Sequence, residues 1–258
     1  MMLVLDVAAA GVNCEVDLND IPIFAHRGFE PAQQTAKIDN WALPGGNELT
    51  LRIGRLPARG DMTASGKPLP APKVTVVLRR TAPGADAATD RILASFSWPT
   101  GQAVPLSLST VWKQSIDLGS RPLWRWARAS ATPVASPADR SEIMAQLRQI
   151  VAALEARDRP RTIEAQRLSI SENAESMGLP PAEVLDDYNE FLAERMSAGW
   201  LVEPLAEAAL EMRSAGGGRL IHVVAADGRP AISTDSEAGY FGIDPWMAKL
   251  DGKWTLVR

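Results

Sequence analysis

The sequence predicts a two-domain chain: an all-β sandwich, then an α+β domain of about four helices with a C-terminal antiparallel β-meander. Three features carry that expectation. Apolar and polar residues alternate along much of the first half, as in half-buried strands. After Ser136 the apolar spacing changes to the three- and four-residue steps of amphipathic helices. Beyond Gly216-Gly217-Gly218 the alternation returns, and two Asp-Gly pairs mark tight turns. The change of period places a β-sandwich domain at 1–130, a linker at 131–137 and the helical segment plus sheet at 138–258. A chain of 258 residues can bury two modest cores.

Taken in order, Leu3, Leu5 and Val7 outline a first strand, and Val12, Cys14, Val16 and Leu18 a second. Asn19-Asp20 offers a turn into Ile21-Pro22-Ile23-Phe24. Leu49, Leu51 and Ile53 alternate cleanly, as do Val74, Val76 and Leu78, and then Ile92, Ala94, Phe96 and Trp98. A further strand is expected near Leu106 to Ile116, and the Pro/Gly-rich stretch from Leu56 to Pro72 reads as an extended loop. Ser136-Pro137 is a helix start, with serine as the cap and proline in the first turn. Ile143, Leu147, Ile150 and Leu154 form one face of that helix. A second helix covers Ile163 to Met177 and stops at Gly178. A third carries Val184, Tyr188, Phe191 and Met196, and a shorter fourth is expected from Pro204 to about Ser214. Asp227-Gly228 and Asp251-Gly252 then punctuate the terminal meander as two-residue hairpins.

Lys and Arg number 27 against 31 Asp and Glu, a balance that excludes the basic excess of nucleic-acid or anionic-membrane binders. Cys14 is the single cysteine, which rules out an intrachain disulfide and fits a reducing compartment. The apolar start has no basic residue before it and is interrupted by Asp6, so it reads as a strand and not as a signal peptide. No run approaches the roughly 20 apolar residues of a membrane span. A cytoplasmic protein is expected.

The segment Val16-Asp17-Leu18-Asn19-Asp20-Ile21-Pro22-Ile23, with Gly28-Phe29 and Leu43-Pro44-Gly45-Gly46-Asn47-Glu48-Leu49-Thr50-Leu51-Arg52-Ile53, carries a family pattern. It resembles the accessory β-sandwich of β-galactosidase-like glycoside hydrolases, the galactose-binding-like jelly roll. In that module a strand with an Asn-Gly turn precedes a Leu-x-Pro-Gly-x-Asn-x-Leu-x-Val-x-Val run. The resemblance implies a jelly-roll-like first domain without catalytic residues of its own. Asn19-Asp20 departs from the family's Asn-Gly and leaves the hairpin geometry open. The remaining chain is too short for the catalytic barrel that follows the module in those enzymes. Asp251-Gly252-Lys253-Trp254 resembles the closing hairpin of nuclear-transport-factor-type α+β domains, which implies a pocket between helices and sheet.

Few residues suit chemistry. The two glycine clusters, at Gly45-Gly46 and Gly216 to Gly218, lead into a strand and follow a helix, so neither forms a phosphate cradle at a helix start. His26 and His222 have no neighbours at ligand spacing, so no metal and no cofactor is expected. Cys14 reads as core, and Glu183, Asp187, Glu190 and Glu194 as the solvated face of a helix. The least ordinary cluster is Trp124-Arg125-Trp126, flanked by Arg121 and Arg128. On a strand the two indoles would share a side and offer a stacking platform, with arginine adding a cation–π contact. The alternative has both rings packed between the halves of the chain. Trp124, Trp126, Arg121 and Arg125 are therefore the candidate ligand-binding residues of a non-catalytic protein that binds carbohydrate or protein. Two further classes stay open: a hydrolase-like enzyme using carboxylates in a C-terminal pocket, and a structural or assembly subunit.

Overall fold

A computed structural model describes residues 2–28, 30–54, 71–82, 90–99, 109–237 and 239–258. The chain divides into two compact units, Met1–Pro122 and Leu123–Arg258. Four antiparallel sheets and three α-helices make up its regular structure among the described residues. No helix there is long and apolar enough to cross a membrane. The stretch expected as a loop from Leu56 and the start of the strand expected from Leu106 lie largely outside the described residues.

In unit 1, strands β1 (Met2–Ala10), β2 (Cys14–Leu18), β3 (Ile21–His26) and β4 (Ala32–Lys37) are followed by β5 (Gly46–Ile53), β6 (Lys73–Thr81), β7 (Arg91–Trp98) and β8 (Thr110–Asp117). One sheet has the order β4-β1-β6-β7 and the other β3-β2-β5-β8. Their inward residues, among them Leu3, Leu5, Val16, Leu18, Leu49, Leu51, Val76 and Leu78, share one core. Strand β4 was not expected, because Ala32-Gln33-Gln34-Thr35-Ala36-Lys37 has no large apolar residue. It is an edge strand that rests only Ala32 and Ala36 on the core.

The hairpin that the sequence left open is a two-residue turn. Leu18 pairs with Ile21, and Asn19 and Asp20 both adopt the left-handed conformation, with φ of 55° and 62°. The Asn19 amide nitrogen donates to Asn47 Oδ1 at 2.8 Å, while its Oδ1 accepts the Glu48 N–H at 3.0 Å. Asn47 in turn bonds both backbone groups of Leu43 and the Gly45 carbonyl, so this buried amide is fully used.

Unit 2 begins its helices with α1 (Pro137–Glu155), capped reciprocally by Ser136 and Asp139. Helix α2 (Arg159–Met177) starts on Asp158 and ends on left-handed Gly178, and α3 is Pro181–Ser197. The expected fourth helix is absent. Residues 204–214 hold a 3-10 turn at Glu207–Ala209 and the strand β10 (Leu210–Ala215), after the short β9 (Leu201–Val202). The Ala- and Glu-rich composition favours a helix, but β10 pairs along its whole length with β11 (Leu220–Ala225), and that pairing overrides local propensity.

The expected simple meander is also corrected. Strands β12 (Ile232–Asp235) and β13 (Phe241–Ile243) leave for a separate sheet of order β13-β12-β9. The chain then returns as β14 (Trp246–Leu250) and β15 (Lys253–Leu256), giving the order β10-β11-β14-β15. Asp227-Gly228 sits in a three-residue loop closed by the Ala225 N–H on the Arg229 carbonyl, with Gly228 left-handed, and is not a two-residue hairpin. Asp251-Gly252 is one, between Leu250 and Lys253. The expected linker lies within unit 2, where the Thr132 N–H donates to the Gly218 carbonyl at 2.5 Å.

Asp139 does more than cap α1. Its Oδ1 accepts from Lys249 Nζ at 2.8 Å and from Trp254 Nε1 at 2.9 Å, fastening the helix start to β14 and β15. Nearby, Glu142 accepts the Trp254 backbone N–H at 3.0 Å. The Lys249 ammonium, then the Ser136 hydroxyl and the Trp254 indole, hold the Asp139 carboxyl well below the usual carboxylate range.

Asp20→Gly, which relieves a left-handed non-glycine residue, should raise the stability of the full chain by about 0.5 kcal/mol in urea denaturation. A depressed folded pKa means that Asp139 stabilises fully above the ordinary aspartate pKa and loses this contribution as pH falls below it. The stability gap between wild type and Asp139→Asn should therefore be widest near neutrality and shrink below about pH 4, as read from denaturation midpoints.

Candidate functional site

The Trp124–Arg128 segment is built from its glycine partners upward. Gly216, Gly217 and Gly218, all left-handed with φ of 60°, 65° and 81°, form the β10–β11 turn. A Cβ at position 216 would stand 3.1 Å from the Trp126 ring, and one at 218 would stand 3.3 Å from Pro133. The glycine run thus permits close approach of the preceding segment, and Trp126 fills that contact with no exposed surface.

Trp124 is 5% exposed and lies under the Arg258 guanidinium, 5.7 Å from its ring centre. Arg258 Nη1 donates to Glu172 Oε2 at 2.8 Å, and Glu172 Oε1 accepts the Arg125 backbone N–H at 2.9 Å. Burial pulls the Arg258 guanidinium below its ordinary value, against the pull of Glu172.

Residues Arg125–Arg128 form one 3-10 turn, not the strand that the sequence predicts, so the two indoles are anchors and present no stacking face. The turn carries Arg125 between the indoles and Arg128 just after them, both exposed. They line a groove of about 710 Å3 with Ser130, Lys249 and the β14–β15 turn residues Asp251 and Gly252. A second cleft of about 680 Å3 shares Arg125, Leu250 and Asp251 and adds Arg167 and Ser171 of α2 and Lys253 of β15.

Among the described residues, no carboxylate pairs with the side chains of Arg125, Arg128 or Lys253, whereas Lys249 is held by Asp139 and Arg167 by Glu164. The lining contains no histidine, cysteine or aromatic ring. What this arrangement offers is unpaired positive charge, with hydroxyls beside it, suited to holding an anion.

Of the sequence-predicted residues, Trp124, Arg125 and Trp126 come together here. Arg121 does not, because it pairs in unit 1 with Asp39, whose other oxygen accepts the Leu3 N–H at 2.8 Å. Lys249, Asp251 and Lys253 were missed as site residues. Asp251-Gly252 announces a turn in the sequence, but nothing there says that it faces the Arg125 segment.

The other candidates are structural. His222 Nε2 lies 2.7 Å from Asp244 Oδ1, and its ring stacks on Trp246 at 4.0 Å and 5°. Cys14 is buried, and burial pushes its thiol up to about 11, away from the thiolate form. Glu183, Asp187, Glu190 and Glu194 are exposed on α3. Among the described residues no three His, Cys, Asp or Glu side chains cluster as a metal would require. Comparison of the chain with family models, curated proteins and solved structures finds no match.

Gly216→Ala and Gly217→Ala share the backbone strain of a left-handed residue, but only the first meets an indole. At position 217 the nearest atom is the flexible end of Arg219. Gly216→Ala should therefore cost about 2–3 kcal/mol and Gly217→Ala about 1 kcal/mol in chemical denaturation. Equal costs would show that Trp126 does not press on this turn.

Proposed function

We propose that the protein is a non-catalytic binding protein, active in the cytoplasm, and that unit 2 holds an anionic group of a carbohydrate or protein ligand in the Arg125 groove. One observation carries this reading: two exposed guanidiniums without carboxylate partners stand on a turn whose intervening and preceding indoles are buried. The buried indoles anchor the backbone that carries these cations, which keeps both on one stretch of surface. We read unit 1 as a jelly-roll-like β-sandwich of the galactose-binding-like type. Two four-stranded antiparallel sheets around one core support that reading, as does Asn47 closing the Leu43–Gly45 turn.

Biolayer interferometry of the full chain on immobilised poly-L-glutamate and on a heparin-derived octasaccharide tests the groove. At least one polyanion should bind, more weakly as salt rises. Arg125→Glu/Arg128→Glu should weaken it by about tenfold or more at an unchanged unfolding midpoint. Binding of neither, or equal binding by the double variant, overturns the reading.

A further inference from the structure

Resting on that reading of the groove, we propose that its occupant is the acidic face of helix α3 of a second copy of this chain. Two faces of unit 2 carry unpaired charge of opposite sign. On α3, Glu183, Asp186, Asp187, Glu190 and Glu194 are all exposed, and among the described residues none of them forms an ion pair. At about 3.6 residues per turn, the five fall within about 100° of one another around the helix axis. Leu192 and Met196 are buried in the core on the other side of α3, so the carboxylates face solvent. Acids elsewhere in the unit find a base close by, as Glu164 does in Arg167, Glu207 in Arg148 and Glu211 in Arg213. Across the two clefts the balance is reversed. Three unpaired cations, Arg125, Arg128 and Lys253, stand there against the one unpaired carboxylate of Asp251.

Each copy carries both faces, so every molecule offers the groove of one contact and the helix of another. The formal net charge of −4 opposes contact between copies in general, and only a meeting of these two faces turns repulsion into attraction. The clefts share Arg125, Leu250 and Asp251 and so border one another, which gives a helix face a broad seat. Leu168 and Leu250, both half-buried, add apolar surface to it. A folded helix also brings its carboxylates on a formed backbone and avoids the ordering cost that a disordered acidic segment pays on binding. Exposed ion pairs are individually weak, so several form together and the association is sensitive to salt.

Sedimentation velocity of the full chain tests the contact. In about 30 mM salt, wild type should sediment faster as its concentration rises towards about 300 µM. In about 500 mM salt it should return to the monomer, because screening then acts within about 4 Å. Arg125→Glu/Arg128→Glu and Asp187→Lys/Glu190→Lys should each weaken self-association by about tenfold or more at an unchanged unfolding midpoint, since like charges then face each other. An equimolar mixture of the two double variants should associate again, each altered face meeting its opposite. The inference fails if wild type stays monomeric at low salt, if either double variant associates as wild type does, or if the mixture stays apart. Binding of poly-L-glutamate by wild type then leaves the anion groove standing, and its absence overturns both readings.

Discussion

The carboxylate of Glu172 answers two donors that lie far apart in the chain, the Arg125 backbone N–H and the Arg258 guanidinium. Both charged side chains of the ion pair are buried, so withdrawing them from water is costly, and only close contact with filled hydrogen-bonding positions offsets that cost. One acidic oxygen therefore holds the Arg125 turn and the other holds Arg258, two residues beyond the last strand. Helix α2, the turn and the end of the sheet are tied at one point, and Trp124 packs against the guanidinium at that point. The pair anchors the turn that carries one wall of the groove, Arg125, Arg128 and Ser130.

Three tryptophans serve as joints within unit 2. Trp126 sits against Gly216, Trp254 hangs its indole N–H on Asp139, and Trp246 stacks on His222. Each ring joins segments that lie apart in the sequence. A residue that buries a large area while keeping one polar handle suits that task, since it gains packing and orientation together.

Much of the fold was legible because its physics is local. Ser136-Pro137 and Gly178 mark helix ends by capping chemistry, and the alternation of Leu49, Leu51 and Ile53 fixes which face of β5 is inside. Where local and tertiary preferences part, the sequence misleads. Strand β4 is too polar to show a pattern, and Leu210–Ala215 carries helix-forming residues that sheet pairing overrules. The groove was only half visible, since Trp124, Arg125 and Trp126 stand out as a cluster while their partners Lys249, Asp251 and Lys253 join them through long-range contacts. No periodicity encodes such a meeting.

The Glu142 side chain on the Trp254 N–H has a bearing on self-association. Strand β15 ends the four-stranded sheet, and a bare end strand is a template on which another chain can crystallise its own backbone. Here helix α1 lays a carboxylate on one of the outward amides, so the carbonyl of an incoming strand finds that donor taken and meets negative charge in its place. At the opposite end, β10 carries the ion pair of Glu211 and Arg213, another obstacle to a flat apolar partner. The sheet is guarded at both ends against runaway growth, with an acid from a helix at one and paired charges on the strand itself at the other.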